Sequence, residues 1–96
     1  MLVRLIDIVS DTYTNAAGYI FYSELKRLLA KGEQVQVSFL GASTPSSSFL
    51  NSSFGALIEE MGLDNFLKAV KPADVTPTQA NMLKHYIQGF RSGANA

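Results

Sequence analysis

The 96-residue sequence contains no cysteine and a single histidine, His85. The lack of cysteine excludes disulfide bonds, thiolate zinc sites and cysteine nucleophiles, and one histidine excludes histidine-rich metal sites. The longest uncharged and mostly apolar run is Ala16–Tyr22, whereas a membrane-spanning helix needs about 20 residues. The first residues include Arg4 and Asp7 and do not form a signal peptide. We therefore expect a soluble, cytoplasmic protein without a membrane partner.

Charged residues are also scarce, at 17% of the chain, and eight Lys and Arg balance eight Asp and Glu. This balance does not favour a nucleic acid as a partner. The carboxylates show no metal-loop spacing, so we expect neither a metal nor another cofactor. Apolar residues make up 47% of the chain, which argues against disorder. The length predicts one domain over residues 1–96, with residues 92–96 as a flexible tail.

Three segments favour strands. Leu2–Val9 is dense in Leu, Val and Ile, which is typical of a strand buried on most of both faces. Val35–Phe39 alternates apolar and polar residues, which also indicates a strand. Leu63–Lys71 is ambiguous, since it fits either a continued helix or, around Val70 and Pro72, a short third strand at a sheet edge.

Three helices are predicted between and after these strands. The first carries apolar residues at helical spacing from Ala16 and ends at Gly32. A second apolar stripe ends at Gly62, and a third helix begins with a capping box at Thr76. The stripes are Ala17, Phe21, Leu25, Leu28 and Leu29, then Leu50, Phe54, Leu57, Ile58 and Met61, then Ala80, Leu83, Ile87 and Phe90. The resulting order predicts a small α/β domain with a mixed or mostly parallel sheet of three to four strands, packed by three helices.

The segment from Gly41 to Phe49 contains five hydroxyl side chains between a strand end and a helix start. Open α/β sheets place their sites at such positions. One of Ser46, Ser47 and Ser48 is expected to cap the second helix. The same helix start is also able to accept an anion, either on a ligand or as a phosphate attached to a serine.

Catalysis is poorly supported by the residues of this loop. It contains no Lys or Arg, which argues against tight nucleotide binding. A serine nucleophile would need a base, and His85 lies far along the third helix. We therefore predict that the protein is not an enzyme.

The hydroxyl loop and its flanks resemble the STAS-like domains of unknown function. This bacterial family is similar to the sulfate transporter and anti-sigma factor antagonist domains. The resemblance runs from about Gly18 to Ile87, and its motifs are Val35–Phe39, Gly41, Ser47–Asn51, Phe54–Leu57, Val70-Lys71 and Thr76-Pro77. It implies a non-enzymatic regulatory module that binds a partner protein through this loop and the helix that follows.

In the antagonists, the first serine of an Asp-Ser-Ser-Gly loop is phosphorylated by a partner serine kinase that resembles histidine-kinase ATPases. By this resemblance Ser47 is the preferred phosphorylation site, followed by Ser48 and Ser46. Two positions depart from the antagonist pattern, because Ser46 stands in place of Asp and Phe49 in place of Gly. The residues implied in partner binding are Thr44, Ser46, Ser47, Ser48, Phe49, Asn51 and Ser52.

The sequence leaves two alternative functions open. One is a module that binds a small anion, a nucleotide or a lipid head group at the same helix start. The other is a structural subunit or homodimer in which a short sheet pairs edge to edge with a second copy.

Overall fold

The computed structural model describes residues 1–91; the predicted tail at residues 92–96 lies outside the described part of the chain. Its strands are β1 (Leu2–Arg4), β2 (Val35–Ser38) and β3 (Val70–Ala73). The helices are α1 (Leu5–Ile8), α2 (Asn15–Leu29), α3 (Ser47–Ser52), α4 (Phe54–Met61), α5 (Leu63–Ala69) and α6 (Pro77–Arg91). This is a small α/β domain with a three-stranded parallel sheet, which confirms the predicted fold class.

The sheet has the strand order β1-β2-β3, so β2 lies at its centre and β3 at an edge, as predicted. Because side chains alternate between the two faces of a strand, the register gives each face its own character. Val35 and Val37 are fully buried under the helices. On the opposite face, Leu2, Gln36 and Lys71 lie in register and are exposed. The packed helical layer therefore covers one face of the sheet.

Aromatic side chains connect the helices of that layer. The ring of Phe21 in α2 stacks on Phe49 in α3, with 6.0 Å between ring centroids, and lies 5.8 Å from Phe54 in α4. Phe54 in turn meets the edge of Phe66 in α5 at 5.5 Å. All four rings are buried. Burial of large apolar side chains is the main favourable term in folding, so this cluster holds four helices together.

The predicted strand over Leu2–Val9 was wrong beyond Arg4. The chain turns there into α1, which buries Leu5 completely and exposes Asp7. The reason lies in the neighbouring strand, because β2 ends at Ser38 and Ser38 pairs with Arg4. A longer first strand would have had no partner for its backbone groups.

The predicted second helix is divided into α3 and α4 at Ser53, whose backbone (φ −118°, ψ −86°) is not helical. The Ser53 amide donates to the Leu50 carbonyl, and its hydroxyl donates to the Phe49 carbonyl at 2.8 Å. The amide and the hydroxyl of Ser53 thus stay hydrogen-bonded at the break. The change of direction allows both Phe49 and Phe54 to enter the core. Both interpretations of the ambiguous segment were partly correct, since it forms α5 and then begins β3.

The third predicted helix is confirmed as α6, and its capping box is formed. The Gln79 amide donates to the Thr76 hydroxyl at 3.1 Å, and the Thr76 amide donates to the Gln79 side chain at 3.0 Å. The expected burial of Ala80 was wrong, because Ala80 is exposed while Gln79 is only 2% exposed. Gln79 is drawn inward because its side-chain amide donates to the Ala42 carbonyl at 2.9 Å.

Candidate functional site

The hydroxyl-rich loop follows β2 at the carboxyl edge of the sheet and meets the loop between α1 and α2. Three hydrogen bonds join the two loops. The Ser46 amide donates to the Thr12 carbonyl at 3.0 Å, the Thr12 hydroxyl to the Ser43 carbonyl at 3.3 Å, and the Ser46 hydroxyl to the Tyr13 carbonyl at 3.0 Å. The start of α3 is therefore held in place by residues more than thirty positions earlier in the chain.

Ser46 caps α3, which confirms that one of the three candidate serines is the cap. Its hydroxyl accepts from the Phe49 amide at 3.1 Å while it donates to the Tyr13 carbonyl. Both hydrogen-bonding functions of the hydroxyl are therefore in use. Phosphorylation of Ser46 would have to remove the proton that it gives to Tyr13.

Ser47 and Ser48 differ from Ser46 in this respect. They occupy the first turn of α3, and both are exposed. Within residues 1–91 neither hydroxyl has a hydrogen-bond partner, and Thr44 is exposed in the loop before them. The described structure thus assigns no structural role to the hydroxyls of Ser47 and Ser48.

The remaining residues of the predicted partner surface fall into two groups. Phe49 is 1% exposed and belongs to the core, so its side chain is not accessible to a partner protein. Asn51 accepts from the Tyr86 hydroxyl of α6 at 2.7 Å, and the Ser52 hydroxyl donates to Asn15 of α2 at 2.9 Å. Burial raises the pKa of Tyr86 to about 12, with a smaller contribution from Glu59, so Tyr86 stays a donor at neutral pH. Asn51 and Ser52 therefore tie α3 to its neighbours.

Asp11 supports the site from the loop before α2 and was not singled out from the sequence. Its carboxylate accepts from the amides of Tyr13 and Thr14, each at 3.0 Å, and from the Thr14 hydroxyl. Thr14 in turn caps α2 by accepting from the Ala17 amide. The hydrogen bond from the Tyr13 amide is the main reason that the pKa of Asp11 is lowered, and the bonds from Thr14 add to it. An acidic residue three positions before a helix cap is the sequence signal for such a turn.

Replacing Asp11 with alanine is expected to destabilise the domain at neutral pH. A carboxylate whose pKa is lower in the folded state stabilises the fold above its unfolded pKa, and this contribution is lost as the pH falls through the folded pKa. The difference in melting temperature between wild type and Asp11→Ala should therefore be constant above about pH 5 and should shrink below about pH 4. A difference that stays the same down to pH 2 would contradict this assignment. Melting curves followed by circular dichroism across this pH range provide the measurement.

The other candidate catalytic groups lie on three different helices. His85 is exposed on α6 and makes no hydrogen bond to any serine of residues 1–91. Asp7 is exposed on α1 rather than at a strand end, and Glu59 and Glu60 are exposed on α4. Across the same residues, no three acidic or histidine side chains come together as metal ligands would. None of the helices within residues 1–91 is long and apolar enough to cross a membrane.

The parallel sheet with a serine-capped helix after its central strand defines a small α/β domain with a hydroxyl-rich loop at the carboxyl edge. The family model described as the STAS-like domain of unknown function matches residues 17–80. The chain belongs to this family, as its motifs predicted. The matched region runs from α2 to the start of α6 and includes the whole hydroxyl-rich loop. No curated protein matches the chain, and no solved structure matches it.

Proposed function

We propose that this STAS-like domain is a non-enzymatic regulatory module of the bacterial cytoplasm that binds a partner protein through the exposed residues at the start of α3. The observation that supports it is the contrast between Ser46 and the two serines after it. The Ser46 hydroxyl makes two hydrogen bonds within the fold. The hydroxyls of Ser47 and Ser48 have no hydrogen-bond partner within residues 1–91. Side chains that are exposed and serve no structural purpose are available to a partner or a modifying enzyme.

The binding surface extends from these serines to Tyr13. The Tyr13 side chain is 67% exposed, while its backbone carbonyl accepts from Ser46. An exposed aromatic ring whose backbone is fixed by a hydrogen bond suits protein recognition, because tyrosine buries a large area with few rotatable bonds. The proposed surface therefore consists of Tyr13, Thr44, Ser47 and Ser48, with Asn51 and Ser52 at its border.

Serine phosphorylation is the proposed switch, with Ser47 as the preferred site. A phosphate would add close to two negative charges to a surface that has no charged residue among its proposed members. It would lie near the first backbone amides of α3, where negative charge is favourable, so the fold would tolerate the modification. The proposed partner is an ATPase of the histidine-kinase-like serine kinase type, on the strength of the family resemblance to the antagonists.

The alternative of an anion site at the same loop is less well supported. A cavity of about 220 Å³ beside the loop is lined by Asp11, whose carboxylate is negatively charged at neutral pH. No cationic side chain lines this cavity among the described residues. An anion would therefore meet repulsion in this cavity, which no residue of α3 lines.

The proposal is tested with variants at Ser47 and a matched control. The tagged domain is used to capture its partner from a lysate of the source organism, and the purified partner is then titrated with each variant by calorimetry. We expect Ser47→Asp to weaken binding at least tenfold and Ser47→Ala to change it less than threefold. Ser23→Asp places the same charge on the far side of α2, where Ser23 is exposed, and should leave the affinity unchanged.

Two results would count against the proposal. If Ser47→Asp binds the partner as tightly as Ser47→Ala, phosphorylation at this position is not the switch. If Ser47→Asp and Ser23→Asp weaken binding equally, the partner responds to overall charge and not to the start of α3. Mass spectrometry of the domain from its host should also recover a phosphopeptide that contains Ser47 or Ser48.

A further inference from the structure

A second and larger hollow lies between α6 and the edge of the sheet, away from the serine loop. It has a volume of about 480 Å³, within the roughly 300–1,000 Å³ of small-molecule sites. One wall is formed by apolar residues of α5, β3 and the turn after β3, namely Phe66, Leu67, Val70, Pro72 and Val75, and Phe54 of α4 also lines it. The other wall is α6. We call this hollow the α6 groove.

Within residues 1–91 the groove is open and is not filled by core side chains. Phe66 and Val70 are buried at its floor, but Pro72 and Ala80 at its sides are exposed. Helix α6 is held on its other side, where Tyr86 and Phe90 pack over Gly55, and at its start, where Gln79 binds the Ala42 carbonyl. These attachments keep α6 in position without closing the groove. An apolar groove held open in this way is able to accept an apolar ligand without large rearrangement.

Among residues 1–91, the charged residues that line the groove are Lys84 and Arg91, and both are positive. They are seven positions apart on α6, so they lie on the same side of the helix and roughly 10 Å apart along its axis. Neither forms an ion pair with any residue from 1 to 91, whereas Lys26 and Arg27 of α2 both do. Long cationic side chains lay their stems on apolar surface and keep the charge at the rim. The groove thus combines an apolar interior with a positive rim.

From this combination we propose that the α6 groove binds a free single-chain fatty acid. The acyl chain lies between α6 and the wall of Phe66, Leu67 and Val70, and the carboxylate pairs with Lys84 or Arg91 at the rim. Burial of the chain provides most of the affinity, and the charge-assisted hydrogen bond fixes its direction. This inference does not depend on the proposed role of the serine loop.

The experiment titrates the full chain with laurate below its critical micelle concentration, using calorimetry, and with dodecanol as the uncharged analogue. We expect laurate to bind at one site and at least tenfold more tightly than dodecanol. Lys84→Glu and Arg91→Glu are then compared individually, and one of them should weaken laurate binding at least tenfold while leaving dodecanol binding within twofold. Lys71→Glu is the matched control, because Lys71 is exposed on the opposite face of the sheet.

A second variant tests the position of the acyl chain. Ala80 is exposed and lines the groove, so Ala80→Trp fills the groove without displacing a core residue. This variant should abolish binding of both ligands while keeping its circular dichroism spectrum and melting temperature near those of wild type. If Ala80→Trp does not fold, the two glutamate variants still decide the question, since both replaced residues are exposed.

Several results would overturn the proposal. Equal affinity for laurate and dodecanol would show that the cationic rim plays no part in binding. The absence of binding to monomeric laurate would show that a fatty acid is not the ligand. Binding only to vesicles that contain fatty acid would indicate a membrane surface instead. Binding of an acidic amphipathic helical peptide, but not of laurate, would indicate a protein partner in the groove. A dimer in sedimentation that Ala80→Trp dissociates would show that a second copy covers the groove.

Discussion

Replacing Phe21 with alanine is expected to lower the free energy of unfolding by about 3–5 kcal/mol, the usual range for a buried phenylalanine. Phe21 is 0% exposed and contacts the rings of Phe49 and Phe54, so its removal opens a cavity between α2, α3 and α4. The surrounding helices relax only partly into such a cavity. A small domain has roughly 5–15 kcal/mol of stability in total, so this one change removes a large share of it.

The measurement is urea denaturation followed by circular dichroism, with Tyr19→Ala as the control. Tyr19 lies on the same helix and is also aromatic, but it is 64% exposed. Its ring stacks on Tyr22 with 5.9 Å between centroids, so its replacement should change the free energy of unfolding by about 1 kcal/mol or less. A similar loss for both variants would contradict the view that the Phe21 cluster holds the helical layer together.

Replacing Gly18 with alanine is expected to destabilise the domain by about 1–3 kcal/mol, although alanine is intrinsically the better helix residue by about 1 kcal/mol. A Cβ atom at this position would lie 2.6 Å from the Phe49 carbonyl oxygen and 2.8 Å from the Ser52 Cβ atom. The nearest of these atoms belongs to the backbone and does not rotate away. Helices α2 and α3 would therefore have to separate, which weakens the packing around Phe21 and Phe49.

The opposite substitution at a neighbouring exposed position isolates the effect of helix propensity. Ala16 is exposed in the first turn of α2, where propensity counts less than in the helix interior, so Ala16→Gly should cost about 1 kcal/mol or less. Denaturation curves for both variants give the comparison. If Gly18→Ala stabilises the domain, the close approach of α2 and α3 at this glycine is not a constraint. Because α3 carries Ser47, the variant should also weaken partner binding if the proposed function holds.

The candidate site could be predicted only in part. The pattern of a strand, a run of hydroxyl residues and an apolar helix identified the segment, and the strong preference of serine for capping positions narrowed the cap to Ser46, Ser47 or Ser48. The choice among the three depended on Tyr13, since its carbonyl takes the second hydrogen bond of Ser46. A contact between residues 33 positions apart leaves no local pattern in the sequence. The same is true of the bond from Gln79 to Ala42 that positions α6.

The sequence by itself determined the features that depend on neighbouring residues. Local backbone chemistry accounts for the capping box of Thr76 and Gln79 and for the alternation that makes β2. It also accounts for the two glycines with positive φ, since Gly62 caps the end of α4 and Gly32 lies in the turn after α2, which ends at Leu29. These features, with the order of elements, were sufficient for the α/β class, and the resemblance of the short motifs around the hydroxyl loop indicated the family.

Only the tertiary structure decided how long the first strand is, where the second helix breaks and what α6 covers. Strand β1 ends where its partner ends, at the Arg4–Ser38 pair. The break at Ser53 allows both Phe49 and Phe54 to reach the core. The α6 groove exists because Tyr86 and Gln79 hold the helix from its other side and its start. Each of these outcomes depends on contacts between distant residues, and such contacts form only when the whole chain packs.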